Sequence, residues 1–166
     1  GVLRAKARRQ PLTAIGLMSG TSLDGVDAAL LVTDGTCVTA FGPALTLPYT
    51  QGFRTTLRAC LGQRPQPSWQ PAIEALSDCH ADAVEALLAA AGTRAVDVIG
   101  FHGQTVWHDP KQGETIQIGD PQRLADRLHT AVVADFRTAD VQAGGEGAPL
   151  VPLYHRALAR DLAKPL

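Results

Sequence analysis

The sequence predicts an α/β domain: a mixed sheet with an antiparallel three-stranded start, flanked by helices. Three observations carry that expectation. Short apolar runs at residues 12–18, 26–33 and 37–47 are separated only by turn residues, so they pair as successive antiparallel strands. Residues 71–91 instead place Ile73, Leu76, Ala83, Val84, Leu87 and Leu88 near helical spacing. Beyond them, apolar runs and helical stretches alternate, and every polar motif falls at the end of a strand, where open α/β sheets gather their ligands.

Taken in order, the first two strands are joined by a glycine-rich turn, and Asp34-Gly35 turns the second into the third. A linker is expected over residues 63–71, which carry Pro65, Pro67 and Pro71 between two helical stretches. The long helix stops at Gly92, because glycine accepts the left-handed conformation that closes a helix. Residues 96–101 read as a buried strand and 115–118 as a short one. Residues 120–128 read as a helix capped by Asp120, with Pro121 in its first turn. Residues 131–134 form a last strand that ends at Asp135.

Length and composition bound the function. A chain of 166 residues that is 45% hydrophobic buries one core and reads as a single domain. A formal net charge of −1 and 5% aromatic residues argue against a nucleic-acid surface, which needs clustered cations and stacking platforms. The basic cluster Arg4, Lys6, Arg8 and Arg9 reads as part of a solvated tail over residues 1–11. The longest apolar run, residues 28–32, falls far short of the roughly 20 residues of a membrane-spanning helix, so no membrane partner is expected. Cys37, Cys60 and Cys79 share no Cys-x-x-Cys spacing, and they read as thiols of a reducing cytoplasm.

The most informative segment is Ile15-Gly-Leu-Met-Ser-Gly-Thr-Ser-Leu-Asp-Gly-Val-Asp27. Gly20 and Gly25 allow positive φ and close approach, and Ser19, Thr21 and Ser22 offer hydroxyls beside backbone N–H groups, a composition suited to phosphates. No lysine follows Gly25, so this is not a P-loop. On these residues alone a plain hairpin turn explains the segment equally well.

Two further segments decide between those readings. Phe101-His-Gly-Gln-Thr105 follows an apolar run, and Val133-Ala-Asp-Phe-Arg-Thr-Ala-Asp-Val-Gln-Ala-Gly-Gly-Glu-Gly-Ala-Pro-Leu-Val-Pro152 joins a strand-end carboxylate to a glycine loop. The three segments, in this order, resemble the anhydro-N-acetylmuramic acid kinases, sugar kinases of bacterial cell-wall recycling within the actin, heat-shock chaperone and hexokinase superfamily. The resemblance covers about residues 12–160. It implies a ribonuclease-H-like lobe, ATP and Mg²⁺ as cofactors, and a small amino sugar as substrate.

Residue by residue, the resemblance implies that Gly20, Thr21, Ser22, Leu23, Asp24, Gly25, Val26 and Asp27 form the ATP-phosphate loop. Many relatives in the superfamily carry an Asp where this chain has Met18, so Mg²⁺ falls to Asp24 or Asp27, through water and the phosphates. A strand-start cap explains Asp27 equally well. Asp135 matches the catalytic base, and a carboxylate at the rim of a buried strand sheds hydration and gains strength as a proton acceptor. Arg137 either counters that effect or binds an anion. His102, Gln104 and Thr105 match the sugar-facing segment; a tight turn with a satisfied histidine is the plain alternative. The family more often has Gln at Glu146, which therefore receives no role. His80 reads as exposed on the polar face of the long helix.

The resemblance carries no second phosphate loop and no adenosine pocket in this chain, so residues 12–166 are expected to be the N-terminal lobe of a two-lobed kinase. Leu150, Val151 and Leu153 should then leave apolar surface at a helix start. Two alternatives stay open: a noncatalytic lobe that binds sugar or a partner chain, and a metal-dependent hydrolase using His102, His108 and Asp109. A homodimer is also left open.

Overall fold

The computed structural model describes residues 2–7, 10–93 and 95–159. Its first three strands, β1 (Leu12–Ser19), β2 (Gly25–Thr33) and β3 (Val38–Pro48), form the expected antiparallel start. Strand β4 (Val98–Asp109) runs parallel to β1. Its far half pairs antiparallel with β5 (Glu114–Ile118), and its near half pairs parallel with β6 (Val132–Ala134). The order is β3-β2-β1-β4-β5 with β6 on β4, the arrangement of a ribonuclease-H-like lobe.

Alternation along β1 and β2 decides which face is covered. Ile15, Leu17, Val26, Ala28 and Leu30 point to the core, with Ile99 and Phe101 of β4 beside them. Helices α2 (Gln51–Cys60), α3 (Gln70–Ala91) and α4 (Pro121–Leu128) close that face with Leu57, Leu76, Val84, Leu87 and Leu124. Full burial of each such side chain contributes roughly 1.5–3 kcal/mol over leaving it in water. The opposite face stays open at Met18, which is 42% exposed.

Caps follow the sequence signals. Asp120 accepts from the Arg123 backbone N–H at 3.0 Å, with Pro121 in the first turn of α4. Gly92 ends α3 at φ 64°. Arg123 then grips Asp78 of α3 with Nε at 2.8 Å and Nη2 at 2.9 Å, and this fork holds the Asp78 carboxyl below its usual range. The clamp fixes α4, and through it the short strand β6.

Four expectations change. The basic tail contains a helix, α1 (Val2–Ala7), whose Lys6 pairs with Asp97; Arg8 and Arg9 lie outside the described residues, as does the side chain of Arg4. Helix α2 follows a Thr50 cap that accepts from the Phe53 N–H at 3.3 Å; with only Leu57 and Cys60 buried, its apolar signal is thin. The segment expected as a linker contains a 3₁₀ turn, Pro67–Trp69, and α3 begins at Gln70. Strand β4 does not stop at Phe101 but continues through His102 and Gln104 to Asp109, because β5 pairs with it from Gln104 onward and Ser19 of β1 meets Gln104.

His80 is the fifth correction: it is wholly buried, not exposed. Its Nδ1–H donates to Leu76 O at 2.7 Å and its ring stands edge-on to Phe101, while Nε2 has no partner among the described residues. Burial pushes its pKa down to about 4, the Leu76 carbonyl opposes that shift, and nearby His102 adds to it. The folded state therefore prefers the neutral ring. Its contribution is fully present above the unfolded value near 6.5 and is lost as pH falls toward 4, a change of about 3 kcal/mol. His80→Leu is expected to flatten the acid limb of stability, checked by urea midpoints at pH 7 and pH 4.5; an unchanged difference between the two would remove His80 as its source.

Candidate functional site

Two strands, β1 and β6, run parallel to β4 and end beside it. Leu17 of β1 pairs with Phe101 of β4, and Phe101 with Ala134 of β6. The glycine-rich loop after β1 and Asp135 after β6 therefore sit at strand ends next to the His102 segment, which lies within β4. A crevice at such an edge is the usual ligand position in α/β sheets.

The loop between β1 and β2 is a tight turn, with the Leu23 N–H donating to Gly20 O at 3.1 Å. Positive φ, expected at Gly20 and Gly25, falls instead on Leu23 at 58°. Leu23 is 1% exposed, so burial of its side chain holds the backbone in a conformation that leucine disfavours. Val26 is likewise buried, and both reach a ligand only through the backbone. Thr21, Ser22, Asp24 and Asp27 face solvent. Among the described residues, the hydroxyls and backbone N–H groups of Thr21 and Ser22 have no protein partner. Asp24 lies 3.5 Å from Arg54 Nη2, and Asp27 accepts from Thr46 Oγ1 at 2.5 Å.

Gly25 has a different reason to be glycine. A Cβ there would lie 2.2 Å from Leu47 O and 2.8 Å from Pro48 Cα, both backbone atoms of β3. At Gly20 a Cβ would meet only Ser22, its Oγ at 3.5 Å and its backbone N at 4.0 Å.

Asp135 closes β6 in the left-handed region at φ 58°. Aspartate tolerates that region better than most residues, and its Oδ1 accepts from the Thr138 N–H at 3.4 Å at the start of α5 (Thr138–Gln142). Its side chain is exposed, so the described residues do not supply the desolvation expected of a strand rim. It lines a cavity of about 280 Å³ with His102, Gly103, Thr115, Gln117, Gly119 and Thr138, set on a floor of Phe101 and Ala134. Thr115 and Gln117 carried no motif, and Thr138 lay within the quoted Val133–Pro152 segment without a role assigned to it.

His102 is held on both ring nitrogens. Nδ1–H donates to Gly103 O at 2.8 Å, and Nε2 accepts from Arg137 Nε at 2.8 Å. Burial pushes its pKa down, the Gly103 carbonyl opposes that shift and the Arg137 guanidinium adds to it; Nε2, which accepts from Arg137, carries no proton. Arg137 also donates to Gly147 O, and among the described residues it forms no ion pair. Burial lowers its pKa too. The glycine loop wraps Asp140 rather than open space: Gly147 N–H donates to Asp140 Oδ2 at 2.7 Å, and a Cβ on Gly145 would meet that carboxylate.

Gln104 and Thr105, expected to meet sugar hydroxyls, do not line the cavity. Gln104 is 0% exposed; its Oε1 accepts from Ser19 Oγ at 2.6 Å and its Nε2 donates to Thr105 O at 3.2 Å. Thr105 Oγ1 accepts from Gln117 Nε2 at 3.2 Å. The Ser19 hydroxyl, expected at the phosphates, is buried in the same network. The metal-hydrolase alternative fails on geometry. Both nitrogens of His102 are occupied, His108 pairs with Thr115, and among the described residues no three His, Cys, Asp or Glu side chains converge to hold a metal ion.

Fold and site together define an α/β lobe whose glycine loop, His102 and exposed Asp135 carboxylate lie at one edge of the sheet. The sequence model of the anhydro-N-acetylmuramic acid kinase family matches residues 12–165. Proteins named anhydro-N-acetylmuramic acid kinase from Nitrobacter winogradskyi, Rhodospirillum rubrum and Acidiphilium cryptum are 50%, 51% and 53% identical to it. Each alignment covers 92% of this chain, and 44%, 41% and 43% of the relative. The chain belongs to the anhydro-N-acetylmuramic acid kinase family, and it spans less than half the length of these relatives.

Proposed function

We propose that residues 12–166 form the N-terminal lobe of an ATP-dependent kinase that converts 1,6-anhydro-N-acetylmuramic acid to N-acetylmuramic acid 6-phosphate in cytoplasmic peptidoglycan recycling. Family membership supports the reaction class. The observation that carries the residue assignment is Asp135, an exposed carboxylate that lines a cavity at the same edge of the sheet as the glycine loop.

In this reading Asp135 takes a proton from the water that attacks the anomeric carbon. The bond from that carbon to O6 breaks, and O6 takes the γ-phosphoryl group of ATP as ADP leaves. The chain's own contribution is positioning, which dominates phosphoryl transfer. Thr21 and Ser22 supply unpartnered hydroxyls and N–H groups to phosphate oxygens. Asp27, whose only side-chain partner among the described residues is a hydroxyl, suits water-mediated Mg²⁺ better than Asp24, which faces Arg54; the ion would neutralise phosphate charge. Arg137 locks His102 as part of the sugar wall.

A lobe that spans less than half of its relatives is expected to bind the sugar weakly and to show no ATP-dependent turnover alone, because an open cleft neither excludes water nor holds the adenosine. Leu150, Val151, Tyr154 and Leu158, exposed at or beside helix α6 (Pro152–Leu158), are expected to promote self-association; the side chain of Leu153 lies outside the described ones. Release of ADP by purified residues 1–166 at kinase rates would overturn the half-site reading and point to a site completed by a homodimer. Sugar binding with no turnover in any longer context would favour the noncatalytic alternative.

A further inference from the structure

Tyr49 lies outside every motif of the sequence, yet it touches both ends of the glycine loop. Its backbone N–H donates to Asp24 O at 3.1 Å, at the loop's far end. Its hydroxyl lies 2.8 Å from Ser19 Oγ, the last residue before the loop. Ser19 Oγ in turn lies 2.6 Å from Gln104 Oε1 on the neighbouring strand.

This chain of bonds has one direction. Gln104 Nε2 is committed to the Thr105 carbonyl, so Oε1 faces Ser19, and an amide oxygen only accepts. Ser19 must then donate to Gln104, and its oxygen is left to accept from the Tyr49 hydroxyl. All three side chains are buried, so each bond lost leaves an unpaired polar group in the interior.

A β-bulge makes the geometry available. Leu17 pairs with Phe101 but Ser19 pairs with Gln104, so β4 holds one more residue than β1 over this stretch. The extra residue is accommodated at Gly103, with φ 70°, where a Cβ would lie 2.6 Å from Ile118 O. The bulge turns Gln104 under Ser19 while His102 lines the cavity.

We propose that Tyr49 is a positioning residue: through Ser19 and Gln104 it locks the phosphate loop to the strand that carries the sugar wall, so that both substrates are held in one register. The proposal rests on the kinase reading and deepens it. Tyr49→Phe removes one hydroxyl while keeping the backbone bond to Asp24 and the edge-on packing against Phe53.

The test is steady-state kinetics in the full-length context for wild type, Tyr49→Phe, Ser19→Ala and the double variant, with thermal melting of each. Tyr49→Phe is expected to raise KM for ATP about tenfold, leave KM for the sugar within twofold, and melt within a few degrees of wild type. The double variant is expected to lose no more than Ser19→Ala alone, since both changes break one chain. An active wild type with the ATP KM of Tyr49→Phe within twofold, or with losses that multiply in the double variant, would overturn the positioning role alone. A folded wild type with no phosphorylation would overturn the kinase reading and this proposal together.

Discussion

Asp135→Asn in the full-length context is expected to lower turnover by ~10²–10⁴-fold, the usual worth of a general base, or roughly 3–5 kcal/mol of transition-state stabilisation. The substitution is clean for reasons visible in the fold. Asparagine tolerates the left-handed backbone that Asp135 adopts at φ 58°, and its amide oxygen keeps the contact from the Thr138 N–H. Shape and charge-independent contacts persist, so what disappears is proton acceptance. Ring opening and phosphate transfer should fall together, because in the proposed reaction one event releases O6 and delivers it to phosphorus. Turnover within tenfold of wild type, measured as ADP release coupled to sugar phosphate, would mean that another group takes the proton.

Gly25→Ala is expected to destabilise the domain at the upper end of the ~1–3 kcal/mol typical of overpacking, or beyond it. The added Cβ would overlap Leu47 O at 2.2 Å, and these are backbone atoms that no rotamer change can move away. Relief requires parting β2 from β3 where Gly25 pairs with Pro48, beside the glycine-rich loop. A drop in melting temperature of roughly 5–10 °C follows for a domain of this size. Gly20→Ala provides the contrast: its Cβ meets only an ordinary contact with Ser22 Oγ, so its stability should stay within about 0.5 kcal/mol of wild type. Equal melting of the two variants would show that strand approach does not explain Gly25.

The same pair of glycines shows where local pattern stops informing. A Gly-rich turn between two apolar runs is legible, since only turn chemistry lies between the strands. Which glycine is obligatory depended on β3, more than twenty residues away, and the positive φ fell on Leu23 because the core holds its side chain.

By itself the sequence determined the antiparallel start, the long helix α3, the Asp120 cap of α4, and a carboxylate at the end of the last core strand. All of these are encoded within a few residues, by side-chain period, caps and turn formers. Tertiary structure decided the rest. The strand-like extension of β4 past Phe101, the burial of His80, and the withdrawal of Ser19 and Gln104 into a buried network all place polar side chains inside. A polar residue is stable there only when a partner meets it, and Ser19 finds Gln104 across 85 positions of chain. Hydrophobic period records which residues leave water; it does not record which polar groups are met when they do.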